Sequence, residues 1–225
     1  MKNKKLLIFD AYGTLISTGD GSIKAAEKIL LLSPDMTMNA AEFYSQWKNL
    51  HRRHIDESIE SGFVTEQEIF ARDLAELYVK YDICRPAEED VKIMLTRLYG
   101  RKLFDETAAV ISALRKKYRV VIGSTTDTEP LLENLDSTGL EVDAVYTSES
   151  LGVYKPAPEF YRSILKSENC TPEEAVFIGD SLTDDVLGPK LCGVTTVHID
   201  RKSKSESGEE ADYRFTDLDG LLTIL

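Results

Sequence analysis

Leu6-Leu7-Ile8-Phe9-Asp10-Ala11-Tyr12-Gly13-Thr14-Leu15 begins with four apolar residues and then breaks at a carboxylate, with a glycine three positions on. A short apolar run closed by polar and turn-forming residues predicts a strand buried on both faces, here Leu6–Asp10. The same signature recurs at Arg119–Ser124, Ala144–Thr147, Ala175–Gly179 and Val194–Ile199. Helical patterns at Thr107–Lys117, Thr128–Thr138, Pro158–Ser167 and Asp184–Cys192 separate or join the last four strands. This alternation predicts an α/β fold, a parallel sheet covered by helices on both faces.

The first strand stands apart from that rhythm. Between Ser17 and Lys102 the sequence offers helices only, near Ser22–Leu32, Asn39–Ser61, Thr65–Tyr81 and Pro86–Leu98. Asn39 and Thr65 suit helix N-caps, and Thr65 with Glu68 fits a capping box. Breaks are expected at Ser33-Pro34, Ser61-Gly62 and Arg85-Pro86. Phe43, Trp47 and Leu50 stand at helical spacing and predict a packed stripe. The His51-Arg52-Arg53-His54 run reads as a solvated helix face. A helical insert is therefore expected over residues 17–102, with the sheet built from 1–16 and 103–225. The charged, Ser-rich stretch Arg201–Glu210 reads as a solvated loop, followed by a short strand, Tyr213-Arg214-Phe215, and a helix, Leu218–Leu222.

Composition narrows the function classes. Of 225 residues, 42% are hydrophobic, enough for a substantial core. The net charge of −12 disfavours phosphate backbones and anionic lipid surfaces, so neither nucleic acid nor membrane is an expected partner. A small anionic ligand would need positive charge concentrated locally. Cys84, Cys170 and Cys192 are odd in number and widely spaced, which predicts buried, reduced thiols in a cytoplasmic protein. The basic opening Met1–Lys5 leads into an apolar run of four residues before Asp10, too short for a secretory leader.

In open parallel sheets ligands bind beyond the carboxyl ends of the strands. Reading only those ends gives Asp10, Ser124, Lys155 in the loop after the third strand, and Asp180. That set joins a carboxylate nucleophile, a hydroxyl donor, one fixed cation and a second carboxylate suited to a hard metal ion. Taken singly, each has an ordinary explanation: a loop cap, a turn serine, a solvated lysine, a helix N-cap.

Together they resemble a known family. Phe9-Asp10-Ala11-Tyr12-Gly13-Thr14-Leu15, Val121-Ile122-Gly123-Ser124-Thr125, Lys155-Pro156, and Phe177-Ile178-Gly179-Asp180-Ser181 followed by Asp184-Asp185 are similar, in order, to the four motifs of the haloacid dehalogenase-like (HAD) hydrolase superfamily. The resemblance implies a Rossmann-like core with a helical cap that closes over the strand ends. It also implies Mg²⁺ held by Asp10, Asp180 and the backbone carbonyl of Tyr12. Asp10 would be the nucleophile toward a small phosphorylated substrate. Ser124 and Thr125 would bind the phosphate, and Lys155 would add charge for phosphate and carboxylates. Asp185 and Asp184 would support the metal or Lys155.

One position departs from the phosphatase pattern. Tyr12 stands where phosphatases of this superfamily carry a second Asp that protonates the leaving group. The stretch Asp-Ala-Tyr-Gly-Thr-Leu resembles L-2-haloacid dehalogenases instead, whose departing halide needs no proton and whose Asp works without metal. Those enzymes place an uncharged residue where Asp180 stands and Asn where Thr125 stands. Two alternatives to a phosphatase therefore stay open: a metal-independent dehalogenase, and a non-catalytic ligand-binding domain of the same fold.

Overall fold

Alternate side chains of the first strand enter opposite layers, and this alternation builds the sheet domain. The computed structural model describes residues 1, 3–33, 36–202 and 210–225. Pro34 and positions 203–209 of the expected loop lie outside the described residues. The chain divides into two compact units, one formed by Met1–Ser17 with Lys102–Leu225 and the other by Thr18–Arg101.

Among the described residues of the first unit six strands, β1 (Leu6–Phe9), β2 (Arg119–Ser124), β3 (Ala144–Thr147), β4 (Ala175–Gly179), β5 (Thr195–Ile199) and β6 (Tyr213–Phe215), form one sheet in the order β3-β2-β1-β4-β5-β6. Every pairing is parallel. Leu7 and Phe9 pack with Val120, Ile122, Val176 and Ile178 against Val110, Ile111, Leu131 and Leu135 on one face. Leu6 and Ile8 pack with Val121 and Phe177 against Phe160, Tyr161, Ile164 and Leu165 on the other. Full burial of one such side chain contributes roughly 1.5–3 kcal/mol, so a register slip that traded the two faces would be costly.

The connecting helices follow the sequence reading closely where the apolar period is clean, at Thr128–Thr138 and Pro158–Ser167. The helix expected over Asp184–Cys192 is instead a π-helical turn, Leu182–Leu187, running into a short helix, Gly188–Lys190. Pro189, lacking an N–H, cannot continue an i→i−4 ladder there. The first apolar helix stops at Leu114, before the expected Lys117. The final helix is a 3₁₀ segment, Asp219–Thr223.

The described residues of the second unit form four α-helices, α1 (Gly21–Leu31), α2 (Ala40–Ser61), α3 (Glu66–Lys80) and α4 (Ala87–Leu95). Asn39 accepts from the Glu42 N–H at 2.9 Å, and Thr65 forms a reciprocal capping box with Glu68. Phe43 and Trp47 meet edge to face inside a core completed by Ala25, Ile29, Leu77 and Met94.

In the histidine run only the arginines face solvent; the two histidines turn inward. His54 is buried, and both His51 and His54 bond through Nδ1 to the wholly buried Asp73, at 2.8 and 2.5 Å. Burial opposes a charge on His51, but Asp73 and Glu66 outweigh it and push its pKa up to about 9. The cysteines are free thiols, and none is buried as expected: Cys84 is exposed, and Cys170 and Cys192 are half-buried. No described helix is long and apolar enough to cross a membrane.

Candidate active site

β1 lies at the centre of the sheet, with β2 on one side and β4 on the other. Successive connections leave it in opposite directions, so the strand ends around β1 form the crevice expected of a topological switch point. Asp10 follows β1, its N–H bonded to the Ile178 carbonyl of β4 at 2.8 Å. Ser124 ends β2 and donates to Asp10 Oδ1 at 3.2 Å. Lys155, after β3, donates to the same oxygen at 2.8 Å and to Asp185 Oδ1 at 2.7 Å. Both contacts on Asp10 thus fall on one carboxylate oxygen.

Asp180 follows β4. Ligand atoms of Asp10, Asp180 and Asp185 all lie within 4.8 Å of one another. Of the described residues, this trio is the one cluster of His, Cys, Asp or Glu close enough to hold a metal ion. Three hard oxygen donors in that space suit Mg²⁺ or a similar cation. Asp184 is not in the trio; its carbonyl accepts from Tyr161 Oη at 2.5 Å. Nor is Asp180 a helix cap: Ser181 accepts from the Asp184 N–H at 3.2 Å and takes that role.

The electrostatics describe a site short of positive charge. Lys155 is 2% exposed, and burial alone would pull its pKa down, yet Asp10 and Asp185 hold it above the ordinary lysine range. Asp185 is fully buried, and burial together with the Asp10 charge pushes its carboxyl up to about 8 against the pull of Lys155. The Asp180 side chain reaches solvent, but surrounding protein and the Asp10 charge still push its carboxyl up to about 6. Like charges this close disfavour joint ionisation until a cation joins them.

The loop after β1 packs hard against Asp180. Gly13 takes φ +99°, and a Cβ there would lie 2.5 Å from Asp180 Oδ2. Thr14 Oγ1 reaches Asp180 Oδ1 at 3.4 Å. Tyr12 turns its phenol toward the helix Thr128–Thr138, where the buried Asn134 amide donates to it at 3.0 Å. Thr125 Oγ1 is buried and has no hydrogen-bond partner among the described residues. Two supporting contacts escaped the sequence reading. Asn134 looked like one polar residue on an amphipathic helix, and His198, on β5, bonds through Nε2 to the Asp180 carbonyl at 3.1 Å.

Residues 4–193 match the haloacid dehalogenase-like hydrolase family, and the chain belongs to it. It is 36% identical over 118 residues to a glyceraldehyde 3-phosphate phosphatase of Pyrococcus furiosus, covering 49% of each chain. The chain spans about half the length of the first curated relatives it matches. Among solved structures, the HAD-hydrolase YfnB of Bacillus subtilis, bound to magnesium, shares the fold at TM-score 0.82 and 21% identity, over 100% of this chain and 99% of that one. The L-2-haloacid dehalogenase of Xanthobacter autotrophicus shares it at TM-score 0.81 and 19% identity, over 98% of both.

Proposed function

We propose that this chain is a Mg²⁺-dependent phosphatase of small phosphorylated metabolites, working through a phosphoaspartate on Asp10. The observation that carries the reading is the convergence of Asp10, Asp180 and Asp185 within 4.8 Å, with Lys155 as the cation bonded among them. Asp10, Asp180 and the Tyr12 carbonyl would hold the metal, with Asp185 behind them. When bound, Mg²⁺ supplies the charge that lets a carboxylate approach an anionic phosphate.

The residues divide the remaining work. Asp10 Oδ1 is fixed by Ser124 and Lys155. Its other oxygen attacks phosphorus in line, and the bond to the leaving oxygen breaks. The Thr125 hydroxyl, and the single Ser124 proton once it turns from Asp10 toward substrate, donate to the phosphoryl oxygens as their charge grows. Lys155 stays charged throughout, a point charge rather than a proton donor. The leaving oxygen takes its proton from Tyr12 or solvent, and water then cleaves the acyl phosphate. Losing a positioned carboxylic acid costs about 10²–10⁴ in rate, so aryl and acyl phosphates, whose leaving groups need little help, are the favoured substrates. In this reading the sheet unit is the catalytic core and the helical unit its cap.

A second reading, the metal-independent L-2-haloacid dehalogenase, is favoured by Tyr12 and by the charge that Lys155 brings to Asp10. The Asp180 carboxylate counts against it. A panel of small phosphates with and without Mg²⁺, run beside 2-chloropropionate, separates the readings. Phosphate release that needs Mg²⁺ and stops in EDTA is expected. Haloacid turnover in EDTA would overturn it. Inactivity on both, with no thermal shift from beryllium fluoride and Mg²⁺, would point to a ligand-binding domain.

A further inference from the structure

We propose that Arg201 is a positioning residue, a clamp that fixes the loop carrying Asp10 and, through Gly13 and Thr14, the carboxylate of Asp180. The proposal rests on reading that pair of aspartates as the reacting centre. Arg201 follows β5, far from Asp10 in the chain, yet its guanidinium reaches the loop after β1. Nε donates to the Gly13 carbonyl at 3.2 Å and Nη2 to the Thr14 carbonyl at 2.7 Å. Nη1 pairs with Glu106 at 2.7 Å, and Cζ lies 3.5 Å from the centre of the Phe104 ring.

A planar fork held on three edges and one face has little freedom, which a flexible ammonium could not reproduce. The next carbonyl is fixed as well: Leu15 accepts from the Phe104 N–H at 3.1 Å and from Thr107 Oγ1 at 3.0 Å. Three consecutive carbonyls of the nucleophile loop are thereby tied to the protein behind it. No slack remains on the opposite side, since Gly13 has no room for even a methyl group beside Asp180. A loop released from Arg201 would therefore shift both carboxylates together. Groups that orient metal-binding residues in this way are worth about 10–100-fold in metal affinity or rate.

Arg201→Met and Arg201→Lys test the clamp in the full chain, with Arg115→Met as control; Arg115 pairs with Glu141 and Asp143 elsewhere in the same unit. The measurements are Mg²⁺ titration of p-nitrophenyl phosphate turnover and deuterium uptake by peptides spanning residues 10–16. Arg201→Met should raise the Mg²⁺ needed for half-maximal turnover by about 10–100-fold and speed uptake in those peptides. Arg201→Lys should fall between it and wild type, and it carries the test if the Met variant does not fold. Arg115→Met should change neither readout. Wild-type Mg²⁺ requirement and uptake in the Arg201 variants would overturn the proposal, even if they melt earlier. If the wild type shows no Mg²⁺-dependent turnover, the phosphatase reading fails; deuterium uptake then judges the clamp alone, and unchanged uptake overturns it.

Discussion

Lys155 Nζ lies 2.7 Å from Asp185 Oδ1, both groups almost wholly withdrawn from solvent. The lysine spends its second contact on Asp10 and rests 5.2 Å from the face of Phe177. A buried cation shared by two carboxylates holds them together only while it remains charged.

Lys155→Met keeps the bulk and removes the charge. Breaking a buried pair by deleting one partner typically costs about 3–5 kcal/mol, so the metal-free variant should melt well below wild type. Saturating Mg²⁺ should restore more stability to the variant than it adds to wild type. Differential scanning fluorimetry with and without Mg²⁺ reads both effects, and equal metal-induced shifts would contradict the account.

Gly13→Ala should uncouple stability from activity. The new methyl meets Asp180 Oδ2, and the positive φ strains any side chain. Backbone strain of this kind costs on the order of 1–3 kcal/mol, while displacement of Asp180 should lower Mg²⁺-dependent turnover by about 10²-fold. Gly62→Ala, at a positive φ with open space around it, is the matched control for strain alone.

Tyr12→Asp should change the selectivity of turnover toward phosphates with poor leaving groups. A carboxylic acid at that position can protonate an alkoxide, so the rate ratio of alkyl to aryl phosphates should rise by about 10-fold or more. An unchanged ratio would overturn the idea that this site lacks an acid for poor leaving groups.

The helical unit should lose stability with rising pH through His51. Its folded pKa, about 9, lies above the ordinary value near 6.5, so its ion pairs with Asp73 and Glu66 contribute fully below about pH 6.5. That contribution, up to about 3 kcal/mol, disappears as the pH climbs through 9. Denaturant titrations of wild type and His51→Gln should therefore converge between pH 6.5 and 9, and a constant gap would refute the assignment.

β1 and β4 were the most legible strands, because burial on both faces left them apolar at every position, whereas β3, at the sheet edge, is only half-buried over Ala144–Tyr146. Ala175–Gly179 needed no context beyond its own side chains. Thr65 and Glu68 revealed a helix start for a similarly local reason, two reciprocal hydrogen bonds three residues apart. The π-helical turn after Asp180 was hidden, since its shape answers to packing rather than to an apolar period. The carboxylates at strand ends could be read from position alone. Arg201, His198 and Asn134 could not, because each acts on a loop distant in sequence and looks ordinary in its own neighbourhood. His51 and His54 misled for the opposite reason: flanking arginines suggested water, while the partner that buries them, Asp73, sits on another helix.

The central strand has an awkward birth. Leu6 pairs with Arg119 and with Ala175, so β1 leaves the ribosome with both neighbours still untranslated. The continuous segment 18–101 emerges next and can close its own core meanwhile. Four sticky residues with two bare edges must wait, an invitation to nascent-chain chaperones or to misassembly. Placing the β1 segment after β6 in the chain order would end that wait, and the soluble yield of cell-free translation should rise accordingly.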